Sequence, residues 1–228
     1  MSFSSITIHD IATSKSKPDP LSGTFERSLS FPAPVHTEDV YDVRTPLSTW
    51  APLSPPISGH LELKLEERIG EGASGTTYGA KVLSSSGGEM PKRLCIKWAK
   101  GSHCRTLARE AWFYEQLHRE GNCEGVITAR CYGFFTAQSG SLNEDGNDDL
   151  VLKPWTKLRS DDEFFLGDDE EEHEDYYRFF RDKAYLKADS PWMSWSQKSG
   201  ADRLIAVLLL EELGECYPAP KVDEAELQ

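Results

Sequence analysis

Residues 61–83 read LELKLEERIGEGASGTTYGAKVL, and this stretch decides the predicted fold. Leu61, Leu63 and Leu65 alternate with mostly charged residues, which is the period of a half-buried strand. The segment TTYGAKVL, after the glycine-rich turn, is β-branched and aromatic in character and predicts a second strand. The turn SSSGGEMPK and a third strand, RLCIKWAK, come next. Three strands joined in series by short turns predict an antiparallel meander.

A helix is predicted from about Cys104 to about Glu120, just before the stop signal Gly121-Asn122. Its apolar residues recur at helical spacing, and they are Leu107, Ala111, Tyr114 and Leu117. Glu110 shares that inward face, and a carboxylate there needs a partner because burying it unpaired is costly. Two more strands are predicted further along, at VITARCYGFF and RLIAVLLLEE.

Two regions differ in composition from this core. The first 59 residues are rich in Ser, Pro and Thr and predict a mostly disordered tail, with a docking or phosphorylation segment around Thr45-Pro46 and Ser54-Pro55 as the alternative. Residues 136–202 carry 17 acidic and 8 basic residues and predict an inserted, solvated spacer. A run of carboxylates could instead bind calcium or a basic partner, but it lacks the spacing of an EF-hand loop. The predicted organisation is therefore a tail (1–59), a domain (60–216) containing the insertion (136–202), and a C-terminal tail (217–228).

Charge and cysteine content narrow the classes of function. The net charge of -13 argues against a general nucleic-acid or membrane-surface binder, because phosphate-rich surfaces would repel the chain. The five cysteines are odd in number and show no C-x-x-C spacing, so neither a disulfide framework nor a zinc site is predicted. The first residues lack the apolar core of a signal peptide. Cytoplasm or nucleus is the expected location.

The glycine-rich turn at residues 69–75 has the pattern G-x-G-x-x-G. It joins two strands, whereas the dinucleotide-binding fingerprint opens a helix. Glycines allow a backbone to approach phosphate oxygens closely. Lys97 follows on the third strand, on the same face as Cys95 and opposite Leu94, Ile96 and Trp98. Since Lys97 and the inward-facing Glu110 each need a partner, we expect them to pair.

The order of glycine loop, strand lysine, helix glutamate and acidic strand end resembles the N-terminal lobe of eukaryotic protein kinases. By this resemblance LLLEELGE, with Glu211 and Leu213, is the hinge. The resemblance implies an α+β fold, with a five-stranded antiparallel sheet, a helix C and a long disordered N-terminal tail. It implies that Mg-bound ATP, held weakly, is the ligand. The residues implied to contact the nucleotide are Ile69, Gly70, Glu71, Gly72, Ala73, Ser74, Gly75, Thr77, Cys95, Lys97, Glu110, Glu211 and Leu213.

The pattern also departs from that family. Thr77, Ser74 and Cys95 replace the usual valine, aromatic residue and alanine, and no H-R-D or D-F-G motif follows the hinge. No catalytic or metal-binding residue is therefore assigned. The expected function is the ATP-binding lobe of a protein kinase domain that does not catalyse transfer as the chain stands. The alternative is a non-catalytic, kinase-derived module that binds another protein.

Overall fold

The structure is a computed structural model that describes residues 3–14, 20–30, 56, 58–72, 74–100, 103–121, 123–142, 150–156 and 204–214. In this part of the chain there are eight strands and one α-helix, α1 (Cys104–Gly121). The strands are β1 (Ser5–Ser14), β2 (Leu21–Arg27), β3 (His60–Glu71), β4 (Gly75–Ser85), β5 (Arg93–Ala99), β6 (Cys131–Gln138), β7 (Leu150–Leu152) and β8 (Leu204–Glu211).

Seven of these strands close into a barrel. The sheet order is β2-β6-β8-β5-β4-β3-β1, and β1 also pairs with β2, so that the two ends of the sheet meet. The strand pairs are antiparallel except β1 with β3, which run parallel from Ser5 opposite His60 to His9 opposite Lys64. The short β7 adds to the end of β1 through residues 12–14.

The closed barrel corrects the predicted fold class. A kinase-like lobe would have an open five-stranded antiparallel sheet, whereas here β1 and β2 bridge β3 and β6 and remove both sheet edges. The long disordered tail is also wrong for residues 3–14 and 20–30, which form those two strands. The Thr45-Pro46 and Ser54-Pro55 dipeptides, most of the acidic insertion and the C-terminal tail lie outside the described residues, and the proposed domain boundaries stay a prediction.

Side chains alternate along the strands, and this alternation places an apolar face inside the barrel. Ile6 and Ile8 of β1, Phe25 of β2 and Leu61 and Leu63 of β3 are fully buried on the inward face. The interior is filled by these and by further apolar side chains, among them Trp98, Phe135, Ile205, Val207 and Leu209. The ring of Trp98 meets that of Phe25 edge to face, with centroids 5.5 Å apart. The barrel interior is thus a packed core.

Helix α1 covers part of the outer barrel face and forms a second, smaller core that we call the outer layer. Its members from the barrel strands are Ala99 of β5, Phe134 of β6 and Ala206, Leu208 and Leu210 of β8, and Cys131 of β6 packs against them. Its members from the helix are Cys104, Leu107, Ala108, Ala111 and Trp112. The helix itself was predicted almost to the residue. Its buried stripe is rotated from the prediction, since Leu117 is exposed and Glu115 is buried, with Ser30 Oγ donating to Glu115 Oε2 at 2.6 Å.

A glycine in β6 makes room for the side chain of Arg27, the last residue of β2. The backbone of Gly133 has φ +144, in the region that favours glycine. A β-carbon at Gly133 would lie 1.5 Å from Arg27 Nη1, which donates to the Tyr132 carbonyl at 2.6 Å. Burial lowers the pKa of Arg27, and this cation also lies over the Phe135 ring. Gly133 therefore makes room for the partly buried side chain of Arg27.

In the residues that the structure describes, no helix has the length and apolar character required to cross a membrane.

Candidate functional site

Strand β5 presents two different faces. Leu94, Ile96 and Trp98 point into the barrel and are fully buried, as the alternation predicted. Cys95 and Lys97 point outward and are half-buried beside α1. Lys97 lies opposite Thr77 of β4 on one side and Leu208 of β8 on the other, so both neighbours share its face. This outward face of β4 and β5, bounded by α1, is the candidate site, called the outer site below.

The expected ion pair between Lys97 and Glu110 is formed. Lys97 Nζ donates to Glu110 Oε2 at 2.6 Å, and the two side chains are 21% and 29% exposed. Strand β5 fixes the lysine and the second turn of α1 fixes the glutamate. An ammonium has three N–H donors, and the bond to Glu110 uses one of them. The carboxylate thus orients the ammonium without using all of its donors.

The glycine-rich turn is closed on itself. The Gly72 N–H donates to the Gly75 carbonyl at 2.8 Å, so this donor is used inside the turn. The Ser74 carbonyl accepts from the Lys100 N–H at 3.0 Å. A β-carbon at Gly75 would lie 2.3 Å from the Trp98 carbonyl oxygen and 3.5 Å from Lys97 Cε, whereas one at Gly70 would meet nothing within 4 Å. Packing against β5 therefore requires Gly75. Ala73 lies outside the described residues.

The groups around Lys97 are polar on one side and apolar on the other. Thr77 is half-buried on the same face. Burial raises the pKa of the Cys95 thiol and of the Tyr114 hydroxyl, and the Glu110 charge adds to the effect on Tyr114. Burial also raises the pKa of Cys131, in the outer layer, to about 12. The thiols are thus neutral near pH 7, which does not suit them as nucleophiles.

The predicted hinge residues do not converge on Lys97. The Glu211 N–H donates to the Arg130 carbonyl at 2.8 Å, and its carboxylate accepts from the Arg130 N–H at 3.2 Å. The next residue, Glu212, is bound by Arg93, with Nε to Oε2 at 2.9 Å. Leu213 and Ile69 are largely exposed. The structure therefore brings together Gly75, Thr77, Cys95, Lys97 and Glu110, but leaves Ile69, Glu211 and Leu213 at the periphery.

Glu71, predicted to contact a ligand, belongs to a group of charged side chains at the end of the barrel. It lies opposite Thr76 of β4, on the inward face, and forms an ion pair with Lys100 Nζ at 3.0 Å. Its side chain is 5% exposed and that of Lys100 is 7% exposed. Arg68 also binds the Glu71 carboxylate. This charged group at the barrel end was missed, because Lys100 follows β5 as an ordinary boundary lysine in the sequence.

Two Ser–His contacts, of the kind found in catalytic triads, join neighbouring strands of the barrel. Ser5 Oγ lies 2.8 Å from His60 Nδ1, and Ser22 Oγ lies 2.8 Å from His9 Nδ1. In the described part of the chain no hydrogen bond joins a carboxylate to the second nitrogen of His9, which is buried without a partner. A triad needs that third group to orient the base. Both contacts are better explained as links between adjacent strands.

Comparisons with known proteins give no family for this chain. No protein-family model matches it, and neither the curated proteins nor the solved structures contain a match. Together with the closed barrel, these findings show that the resemblance to a protein kinase domain was wrong. The function implied by that resemblance, an ATP-binding kinase lobe or a kinase-derived module, is therefore also wrong.

Proposed function

We propose that this chain is a binding protein that takes a small anionic molecule at the outer site, through Lys97. The single observation that carries the proposal is the Lys97–Glu110 pair, held at 2.6 Å and only partly exposed. An ammonium fixed in place, with N–H donors left over, is suited to a phosphate or carboxylate group. Partial burial strengthens such a contact relative to one in open water.

Neighbouring groups supply the rest of the proposed binding surface. The Thr77 hydroxyl, on the same face as Lys97, can donate a second hydrogen bond to the anion. Cys95 and Tyr114 pack against the apolar outer layer and offer surface to an organic part of the ligand. ATP, expected from the sequence, stays a prediction within this wider class.

The experiment is a thermal-shift and calorimetric screen of the full chain at constant ionic strength. Pyrophosphate, inorganic phosphate and ATP form the phosphate arm, and citrate and succinate form the carboxylate arm. Any binder should lose at least about tenfold in affinity in Lys97→Met, which corresponds to about 1.4 kcal/mol. The matched control is Lys81→Met, because Lys81 is an exposed lysine on the neighbouring strand β4.

The two arms separate the two ligand sources, and a Lys97-dependent binder in either one supports the proposal. Equal affinities for Lys97→Met and Lys81→Met would show that any binding is nonspecific attraction to surface lysines. A screen in which no compound of either arm binds the folded chain would also contradict the proposal. Glu110→Gln adds a directional check, since removing the competing carboxylate should strengthen anion binding.

A further inference from the structure

The turn between α1 and β6 displays two apolar side chains to solvent. Val126 and Ile127 are 83% and 79% exposed, the largest exposed fractions among the large apolar side chains of the described residues. The N–H groups of both residues donate to the Cys123 carbonyl, at 3.2 and 2.9 Å. The Gly125 N–H donates to the Thr128 carbonyl at 2.7 Å, and Gly125 has φ +75, which favours glycine. Backbone hydrogen bonds thus fix the turn that presents these two side chains.

Glu124 attaches this turn to the rest of the fold. One of its carboxylate oxygens accepts a hydrogen bond from the Cys131 N–H at the start of β6. The other lies 2.7 Å from His118 Nδ1 on α1. The Glu124 side chain is 11% exposed, so both contacts are largely shielded from water. A turn held to both α1 and β6 cannot fold its apolar side chains against the barrel, and their exposure is therefore a property of the fold.

A third exposed apolar side chain lies next to the turn. Arg130 connects the two, because a β-carbon at Gly125 would lie 3.2 Å from its Nη2 and its carbonyl accepts from the Glu211 N–H at 2.8 Å. Leu213, two residues beyond Glu211, is 64% exposed. Arg130 and Glu211 balance each other in charge. We call the surface formed by Val126, Ile127 and Leu213 the end surface.

The charges beside the end surface are mainly negative. Arg93, at the start of β5, forms ion pairs with Glu66, Glu67 and Glu212, at 2.9, 2.6 and 2.9 Å. Three carboxylates around one guanidinium give this group a net charge of -2. The Glu67 side chain is 62% exposed, so part of this charge faces solvent. The end surface thus combines exposed apolar side chains with an acidic border.

We propose that the end surface is the docking site for a segment of a partner protein that carries apolar side chains next to lysines or arginines. Apolar contact would supply most of the affinity, since it removes Val126, Ile127 and Leu213 from water. The acidic border would select a basic partner and speed its encounter with the chain. The same charge disfavours a second copy of this acidic chain and the anionic surface of a membrane as occupants. The proposal does not rest on the outer site, which is formed by other residues.

The test selects binders to the full chain from a phage-displayed library of short random peptides. The selected peptides should combine apolar residues with lysine or arginine. They should bind Val126→Ser/Ile127→Ser at least tenfold more weakly than the parent chain, and Val151→Ser less than twofold more weakly. Val151 is the matched control, because it is a 40% exposed valine of β7, which joins β1 at the other end of the barrel. Both variants change exposed side chains and should keep the melting temperature of the parent.

Glu67→Gln tests the contribution of charge. It removes one exposed carboxylate of the border and should weaken binding of the selected peptides about threefold, with a larger effect in low salt than in high salt. Selected peptides that are acidic or uncharged would overturn the proposal. So would affinities that Val126→Ser/Ile127→Ser leaves unchanged, or a library from which nothing is selected.

Two further outcomes would assign the end surface to another occupant and overturn the partner proposal. Sedimentation of the parent chain as a dimer, with Val126→Ser/Ile127→Ser as a monomer, would identify a second copy. Selected sequences that resemble residues 176–187, YYRFFRDKAYLK, would identify a segment of the chain itself.

Discussion

Two lysines near the end of β5 form ion pairs on opposite sides of the barrel wall. Lys97 points outward and binds Glu110 with both side chains partly exposed, at 21% and 29%. Lys100 binds Glu71 at the barrel end, where the two side chains are 7% and 5% exposed. The residue types match, and the distances of 2.6 Å and 3.0 Å are both those of direct contacts. What differs is access to water.

That difference assigns different roles to the two pairs. A buried pair is held in place by the cost of leaving either charge alone in a dry environment, so it supports the fold. A partly exposed pair contributes little to stability, because water and salt screen it. It can therefore exchange part of its hydrogen bonding for a ligand at small cost. The outer pair suits binding and the inner pair suits structure.

The largest effect should come from breaking the inner pair. Lys100→Met removes one of the cations that bind the buried Glu71 carboxylate, and we expect a loss of about 3–5 kcal/mol in the free energy of unfolding. Urea denaturation measures it. Lys64→Met is the control, because Lys64 pairs with Asp10 at 3.3 Å with its own side chain 52% exposed. Equal losses in the two variants would remove the distinction between buried and exposed pairs.

The glycine-rich turn that adjoins both pairs should give an intermediate effect. Gly75→Ala puts a β-carbon 2.3 Å from a backbone oxygen of β5, which cannot move as a side chain can, and we expect a loss of roughly 1–3 kcal/mol. Gly70→Ala, in the same turn but with open space around it, should change stability by less than about 0.5 kcal/mol. Thermal or urea unfolding of both variants measures this. If Gly70→Ala proves the more damaging, the packing account of the turn is wrong.

The smallest effect should come from breaking the outer pair. Lys97→Met leaves Glu110 partly exposed to water, and we expect a loss of about 1 kcal/mol or less. Its melting curve should show a slightly larger loss in low salt than in moderate salt, because salt screens the attraction in a partly exposed pair. A loss as large as that of Lys100→Met would mean that the outer site is as dry as the barrel end, and would argue against an accessible ligand there.

Local patterns in the sequence predicted the central strands and the helix. The alternation of Leu61, Leu63 and Leu65 marked β3, and the helical spacing from Leu107 onward marked α1. They did not predict barrel closure, because it depends on β1 lying parallel to β3, and their paired residues are 55 positions apart along the chain. Ile6 and Ile8 of β1 do alternate, but the signal is short and lies within a region rich in Ser, Thr and Pro.

Local patterns in the sequence also predicted part of the candidate site, but not all of it. The Lys97–Glu110 pair followed from strand and helix periods alone, because each period fixes a face. Glu71 was placed in the glycine turn as a ligand contact, although its pairing with Lys100 depends on how β3 bends into the barrel end. The inward direction of Thr76 and Trp98 could be predicted from the sequence, because side chains alternate between the two faces along β4 and β5. That Thr76 Oγ1 and Trp98 Nε1 lack hydrogen-bond partners among the described residues could not, because it depends on the three-dimensional packing.

The position of β8 between β5 and β6 determines when the barrel can close during synthesis of the chain. This strand pairs with β5 on one side and β6 on the other, yet it is the last of the described strands to leave the ribosome. Until it emerges, the nascent chain exposes the strand edges of β5 and β6 and the apolar side chains that β8 covers. We therefore expect the barrel to close only after residue 211 has been translated. Closure should be slow, because the strands that pair are far apart in the sequence. Until then the nascent chain should need protection by chaperones.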